Sequence, residues 1–133
     1  MLKSIEPVKK LEERASEALR AMLAQVPIIE VQRMELGQVS GERDVDVLVS
    51  ITVSGRPRKL VCEVKSNGQP RYVRTALLEL RNYIAHHGSD FTPILIAPYL
   101  SVEAQAMCRE QAVGYLDLEG NAHIFAEKAH FFD

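Results

Sequence analysis

The sequence predicts an α/β domain, a mixed sheet flanked by helices, in the order α-β-β-β-α-β-α followed by a short β-hairpin. Three observations predict it. Helical and strand periodicities alternate along the chain in that order. A helical stretch separates two apolar strands, a βαβ crossover that makes those strands parallel. One of these strands also carries two charged residues on a single face, which is costly unless they are paired or bind an ion.

The elements follow in order. Residues 8–25 place Leu11, Ala15, Ala18, Leu19, Met22 and Leu23 at three- and four-residue spacing, an apolar stripe that predicts a helix ended by Pro27. Residues 28–36 read as a strand, with Gly37 and Gly41 marking the turn after it. Residues 44–54 alternate most cleanly. Val45, Val47, Val49, Ile51 and Val53 occupy one face, and Asp44, Asp46, Leu48, Ser50 and Thr52 the other. Gly55-Arg56-Pro57 is the expected turn into an antiparallel strand over 59–66. There Val61, Glu63 and Lys65 share one face, and Leu60, Cys62 and Val64 the opposite one. After Asn67-Gly68-Gln69-Pro70, a second helix is expected over 71–87, with Val73, Ala76, Leu77, Leu80 and Ile84 on one stripe and Gly88 at its end. A strand over 93–97 follows, then a third helix over 102–111 capped by Ser101. Residues 115–118 and 122–126 form the expected closing hairpin around Gly120-Asn121.

A chain of 133 residues fits one domain, 1–133, with a core large enough to stand without structural metal or disulfides. No apolar run approaches the roughly 18 residues of a membrane span. The first eleven residues mix Lys and Glu without an apolar signal core, so a cytoplasmic protein with no membrane partner is expected. Cys62 and Cys108 fall in apolar strand and helix patterns and read as buried thiols, with no zinc-ligand spacing. The net charge of −2 hides an uneven distribution. Residues 1–46 carry seven Lys/Arg against nine Asp/Glu, residues 47–81 seven against two, and residues 82–133 two against seven. A basic middle third can bind phosphate, although solvated faces account for charge runs as well.

The chemistry concentrates in Asp46, Glu63 and Lys65. The spacing of two puts Glu63 and Lys65 on one strand face, and the neighbouring strand brings Asp46 toward it. Asp44 shares the parity of Asp46 and is the alternative ligand, with Asp46 further inside the strand. Two carboxylates and an ammonium suit metal-assisted phosphodiester hydrolysis. Hard oxygen donors favour Mg²⁺ or Mn²⁺ over zinc, and a lysine can orient water and stabilise charge on the phosphate.

Asp46, a hairpin and then Glu63-Val64-Lys65 resemble the PD-(D/E)XK (restriction-endonuclease-like) signature in its ExK form, and the order of elements over roughly 8–97 resembles that superfamily's core. Glu79-Leu80-Arg81-Asn82-Tyr83 resembles its QxxxY helix motif, with Glu where Gln is usual. No proline precedes Asp44 or Asp46, as in many members. The resemblance implies a divalent-metal-dependent nuclease, with Asp46 and Glu63 as metal ligands and Lys65 as the catalytic lysine. It also implies that the helix carrying Glu79 packs beside the site and helps contact DNA. Some members bring a further carboxylate from the first helix, for which Glu13 and Glu17 are the candidates beside the plainer reading of a solvated face. Arg71, Arg74, Arg81 and Tyr83 are the candidate nucleic-acid contacts. Residues 97–101 and 114–121 resemble a segment in nuclease-like domains of predicted bacterial defence and transcription-regulator proteins. DNA is the expected partner ahead of RNA, and a homodimer would enlarge a small binding surface. The alternative expectation is a catalytically inactive module that kept the fold to bind nucleic acid or to regulate. Asp117 and Asn121 read as turn residues, and no histidine has metal-site spacing.

Overall fold

The computed structural model describes residues 8–40, 43–88, 90–126 and 129–132, with side chains for 10–37, 45–88 and 90–124. Helix α1 spans Val8–Leu23 and is followed by strands β1 (Ile29–Ser40), β2 (Arg43–Val53) and β3 (Arg56–Val64). Helix α2 (Pro70–His87), strand β4 (Phe91–Ala97), helix α3 (Val102–Glu110) and strands β5 (Gly114–Asp117), β6 (Ala122–Ala126) and β7 (Ala129–Phe132) complete the chain. The strands lie side by side in chain order. β1, β2 and β3 are antiparallel, β3, β4 and β5 parallel, and β5, β6 and β7 antiparallel. The crossovers through α2 and α3 force the two parallel pairings.

The sheet separates two apolar layers. On one face, Val61 and Leu95 pack with Val73, Ala76, Leu77 and Leu80 of α2 and with Ala104 and Cys108 of α3. On the other, Val47, Val49, Leu60, Cys62, Ile94 and Ile96 pack with Ala15, Leu19, Met22 and Leu23 of α1. The alternation expected in β3 therefore holds. In β2 it fails at one end, because Val45 packs with the α2 layer together with Leu48. The break falls at Asp46, whose carboxylate is turned to the backbone of β3.

Two turns differ from the expected ones. Gly37 lies inside β1 with φ 58°, so the strand runs on to Ser40. A glycine in the left-handed region absorbs the kink without ending the ladder. Gly41 lies outside the described residues. The β2–β3 turn is Ser54-Gly55, both at positive φ (52° and 82°), with Val53 paired to Arg56. Two such residues match the twist of a hairpin, so Pro57 becomes a strand residue facing Thr52. Pairing of β3 with β4 begins only at Lys59, so Pro57 withholds no hydrogen bond from that ladder.

The helix ends follow local chemistry. Pro70 opens α2, where its missing N–H has no intrahelical partner to lose. Gly88 (φ 102°) closes that helix, its N–H donating to Ile84 O at 2.9 Å. Ser101 Oγ accepts the Ala104 N–H at 3.1 Å and starts α3. No helix among the described residues is long and apolar enough to cross a membrane.

Candidate metal and active site

Strand β3 ends in the residues that carry the site. Glu63 pairs with Leu95 of β4, and the Lys65 N–H donates to Ile96 O at 2.9 Å, so the ladder holds the backbone on both sides of Val64. From β2, Asp46 Oδ2 accepts the Val64 N–H at 2.8 Å. That bond locks the aspartate against β3 and brings it beside Glu63. Above this strand end, α2 contributes Glu79, whose Oε1 lies 3.2 Å from Lys65 Nζ. Glu63 Oε2 lies 3.7 Å from the same nitrogen. The ammonium thus bridges two carboxylates, with 27% of its side chain open to solvent.

The fourth carboxylate belongs to Glu12 on α1, close enough to Asp46 for the Asp46 charge to raise its cost of ionising. Gly37 stands level with Asp46 in the β1–β2 ladder, and a Cβ there would lie 3.7 Å from Glu12 Oε1. Glu13 and Glu17, the expected α1 candidates, are exposed instead. The stripe that seats Leu11 and Ala15 against the sheet turns Glu12 along its border and the other two outward. Sequence spacing held the signal, since Glu12 is next to Leu11, but strand and helix patterns do not show which α1 residue meets β2.

The electrostatics follow from this crowding. Burial, then the nearby Asp46 charge and a hydrogen bond to Glu79, pushes Glu63 up to about 8. Burial also raises Asp46, against the Val64 N–H and Lys65, which favour its charged form. Glu12 is raised by burial and by Asp46. Burial alone would lower Lys65, but Glu79, Glu63 and Asp46 outweigh it and hold its pKa above the ordinary lysine value. Glu12, Asp46 and Glu63 are therefore all harder to ionise than free carboxyls, because burial and a neighbouring carboxylate both disfavour their charge.

Other expected residues take different places. Arg74 and Arg81 line a groove between α2 and α3, and Arg81 Nη1 donates to Gln111 O at 3.1 Å. At 3.6 residues per turn they project from the flank of α2 away from Glu79. Arg71 is exposed in the first turn, donating to Tyr72 Oη at 2.8 Å with its guanidinium 4.8 Å from that ring. Tyr83 is only 3% exposed and stacks on His87 with centroids 3.9 Å apart, so it belongs to the core and not to a nucleic-acid surface. The helical stripe that buries Leu80 carries Tyr83 in with it. The Asp44 side chain lies outside the described residues. Asp117 is buried and accepts from the backbone N–H groups of Leu100, Glu119 and Asn121 and from Asn121 Nδ2, at 2.8–2.9 Å.

Among the described residues, no three His, Cys, Asp or Glu side chains already stand as a metal cage. The donor set nevertheless fits a hard divalent cation. Asp46 and Glu63 are oxygen donors with Glu12 and Glu79 beside them, and a cation would relieve the mutual repulsion that raises Glu12, Asp46 and Glu63.

No protein-family profile and no curated protein matches the sequence. Solved structures do match the fold. A repair endonuclease from Pyrococcus abyssi aligns with a TM-score of 0.52 at 15% identity, over 90% of this chain and 50% of that one. A complex of EndoMS with double-stranded DNA aligns with a TM-score of 0.56 at 17% identity, over 90% and 48%. Protein VC1899 from Vibrio cholerae aligns with a TM-score of 0.54 at 15% identity, over 82% and 30%. The chain spans about half the length of the two endonucleases. These likenesses are of fold: a mixed sheet that runs antiparallel and then parallel with helices against it, the restriction-endonuclease-like fold.

Proposed function

We propose that the chain is a divalent-metal-dependent nuclease that cuts DNA, with Asp46 and Glu63 holding Mg²⁺ or Mn²⁺ and Lys65 as the catalytic lysine. The observation that carries this reading is the meeting of Asp46, Glu63, Glu79 and Lys65 at the solvent-accessible end of β3. The likeness in fold to a repair endonuclease and to EndoMS solved with double-stranded DNA supports it. The cation would polarise the scissile phosphate and lower the pKa of a water. Glu63 must give up its proton to serve as a ligand. Asp46, fixed by the Val64 N–H, keeps its geometry while Glu63 adjusts. Lys65 stays protonated in this surrounding and can stabilise charge that develops on the phosphate. A homodimer in the cytoplasm remains part of the proposal, because one small domain offers little surface to a duplex.

One observation favours a second reading, a nucleic-acid-binding module that does not cut. Lys65 lies closer to Glu79 than to Glu63, so the residue that replaces the usual glutamine holds the lysine in an ion pair.

Cleavage of labelled single- and double-stranded DNA in Mn²⁺, Mg²⁺ and EDTA separates the two. The nuclease reading expects metal-dependent cutting that falls by about 100-fold or more in folded Glu63→Ala and Lys65→Ala variants. Binding without cutting in any metal supports the second reading and overturns the first.

A further inference from the structure

Four tyrosines occur in the chain, and two of them are buried, Tyr83 and Tyr115. The other two, Tyr72 (38% exposed) and Tyr99 (57% exposed), flank a single loop, residues 65–69, that leaves the site strand. Gly68 in that loop packs so closely on the β4–α3 connection that a Cβ would lie 2.0 Å from Tyr99 O. The glycine therefore draws the Tyr99 backbone against the segment that continues Lys65. Tyr72 sits in the first turn of α2, its N–H donating to Gln69 O at 3.0 Å. A cleft of about 390 Å³ opens between loop and connection, lined by Asn67, Gln69, Pro70, Pro98 and Tyr99.

Core packing does not account for either ring. Tyr72 is held upright by Arg71, which both donates to its hydroxyl and lies over its face. A guanidinium beside an exposed aromatic ring, next to a cleft and in the basic third of the chain, pairs a phosphate-seeking charge with a flat apolar surface. Duplex bases are stacked within their helix and present no free face to such a ring. Unpaired bases do, and stacking on tyrosine is tolerant of sequence because every base has a π-face.

We propose that Tyr99 and Tyr72 form a stacking platform for unpaired bases of single-stranded DNA, with Arg71 on the adjoining phosphate. The platform leads the strand toward the end of β3. This rests on the nuclease reading for what happens to the strand, but the platform binds whether or not the site cuts.

The test is binding of a fluorescent oligo-dT and of a blunt hairpin duplex to the full chain in EDTA, where cutting is suppressed. The expected result is tighter binding of oligo-dT than of duplex. Tyr99→Ala should weaken oligo-dT binding by roughly 5- to 100-fold, Tyr99→Phe should restore it, and duplex binding should stay unchanged. Tyr72→Ala should act in the same direction. The chain has no tryptophan, so stacking should also quench its tyrosine emission. Equal oligo-dT affinity in wild type and both alanine variants, or no oligo-dT binding by wild type, overturns the platform. Metal-dependent cutting that persists in Tyr99→Ala and disappears in Glu63→Ala would then leave the nuclease reading standing alone.

Discussion

Lys65 Nζ lies 3.2 Å from Glu79 Oε1 on α2, nearer than its strand neighbour Glu63 at 3.7 Å. Glu79 thus pairs with the lysine and, as a carboxylate beside it, helps to raise Glu63 as well. Glu79→Gln removes a negative charge beside both. Glu63 should then ionise at lower pH, since a carboxyl titrates more easily without a like charge nearby. The pH at which metal-dependent cutting reaches half its maximum should move down by about one unit. An unchanged pH profile would mean that Glu79 does not act on Glu63.

Glu63 titrates near 8, against an ordinary value of 4.5. Its protonated form is favoured by folding, so its contribution to stability is fully present below about 4.5 and is lost as pH rises toward 8. Asp46 and Glu12 are raised as well and act in the same direction. In EDTA the melting temperature should therefore fall between pH 5 and pH 8 within about that range of titration. Added Mg²⁺ should restore it at pH 8 and do little at pH 5, where protons compete for the same oxygens. Thermal melts at both values, with and without Mg²⁺, check this.

Glu12 supports Asp46 from α1, whereas Glu13 and Glu17 face solvent. Glu12→Gln should weaken metal binding or cutting by about 10- to 100-fold, as loss of an outer partner to a metal ligand does. Glu13→Gln and Glu17→Gln should leave both unchanged. Mn²⁺ titrations of the three variants distinguish them.

Asp117 ties the β5–β6 turn to the start of α3 through four hydrogen bonds to a buried carboxylate. Asp117→Ala leaves the buried Leu100 N–H without its acceptor and should cost about 3 kcal/mol in urea unfolding. Asp117→Asn, which keeps an acceptor oxygen, should cost less. Neither should change metal affinity at the end of β3 in protein that remains folded.

The elements were legible because their signals are local. The stripe through Leu11, Ala15 and Leu19, the alternation across Leu60, Val61 and Cys62, and the cap at Ser101 each act within one segment. So was the pairing of Glu63 and Lys65 on one face. Four features were not legible because they depend on how segments meet. Gly37 reads as a turn signal, yet inside a long hairpin its positive φ makes a kink in a strand. Choosing Glu12 over Glu13 requires the docking angle of α1. Tyr83 matches a nucleic-acid-contacting helix motif, but the packing of α2 on β4 turns it toward Phe91, 5.4 Å away between centroids. Arg74 and Arg81 share a helix with Glu79 while facing α3, which a count of basic residues does not reveal.

The most direct test is Mn²⁺ binding by electron paramagnetic resonance at pH 8, comparing wild type with Asp46→Asn, Glu63→Gln and the distant control Glu103→Gln. The account predicts one bound ion per chain in wild type and in the control, with affinity reduced by about 10-fold or more in both site variants. Binding that survives unchanged in folded Asp46→Asn and Glu63→Gln would contradict the metal site at the end of β3.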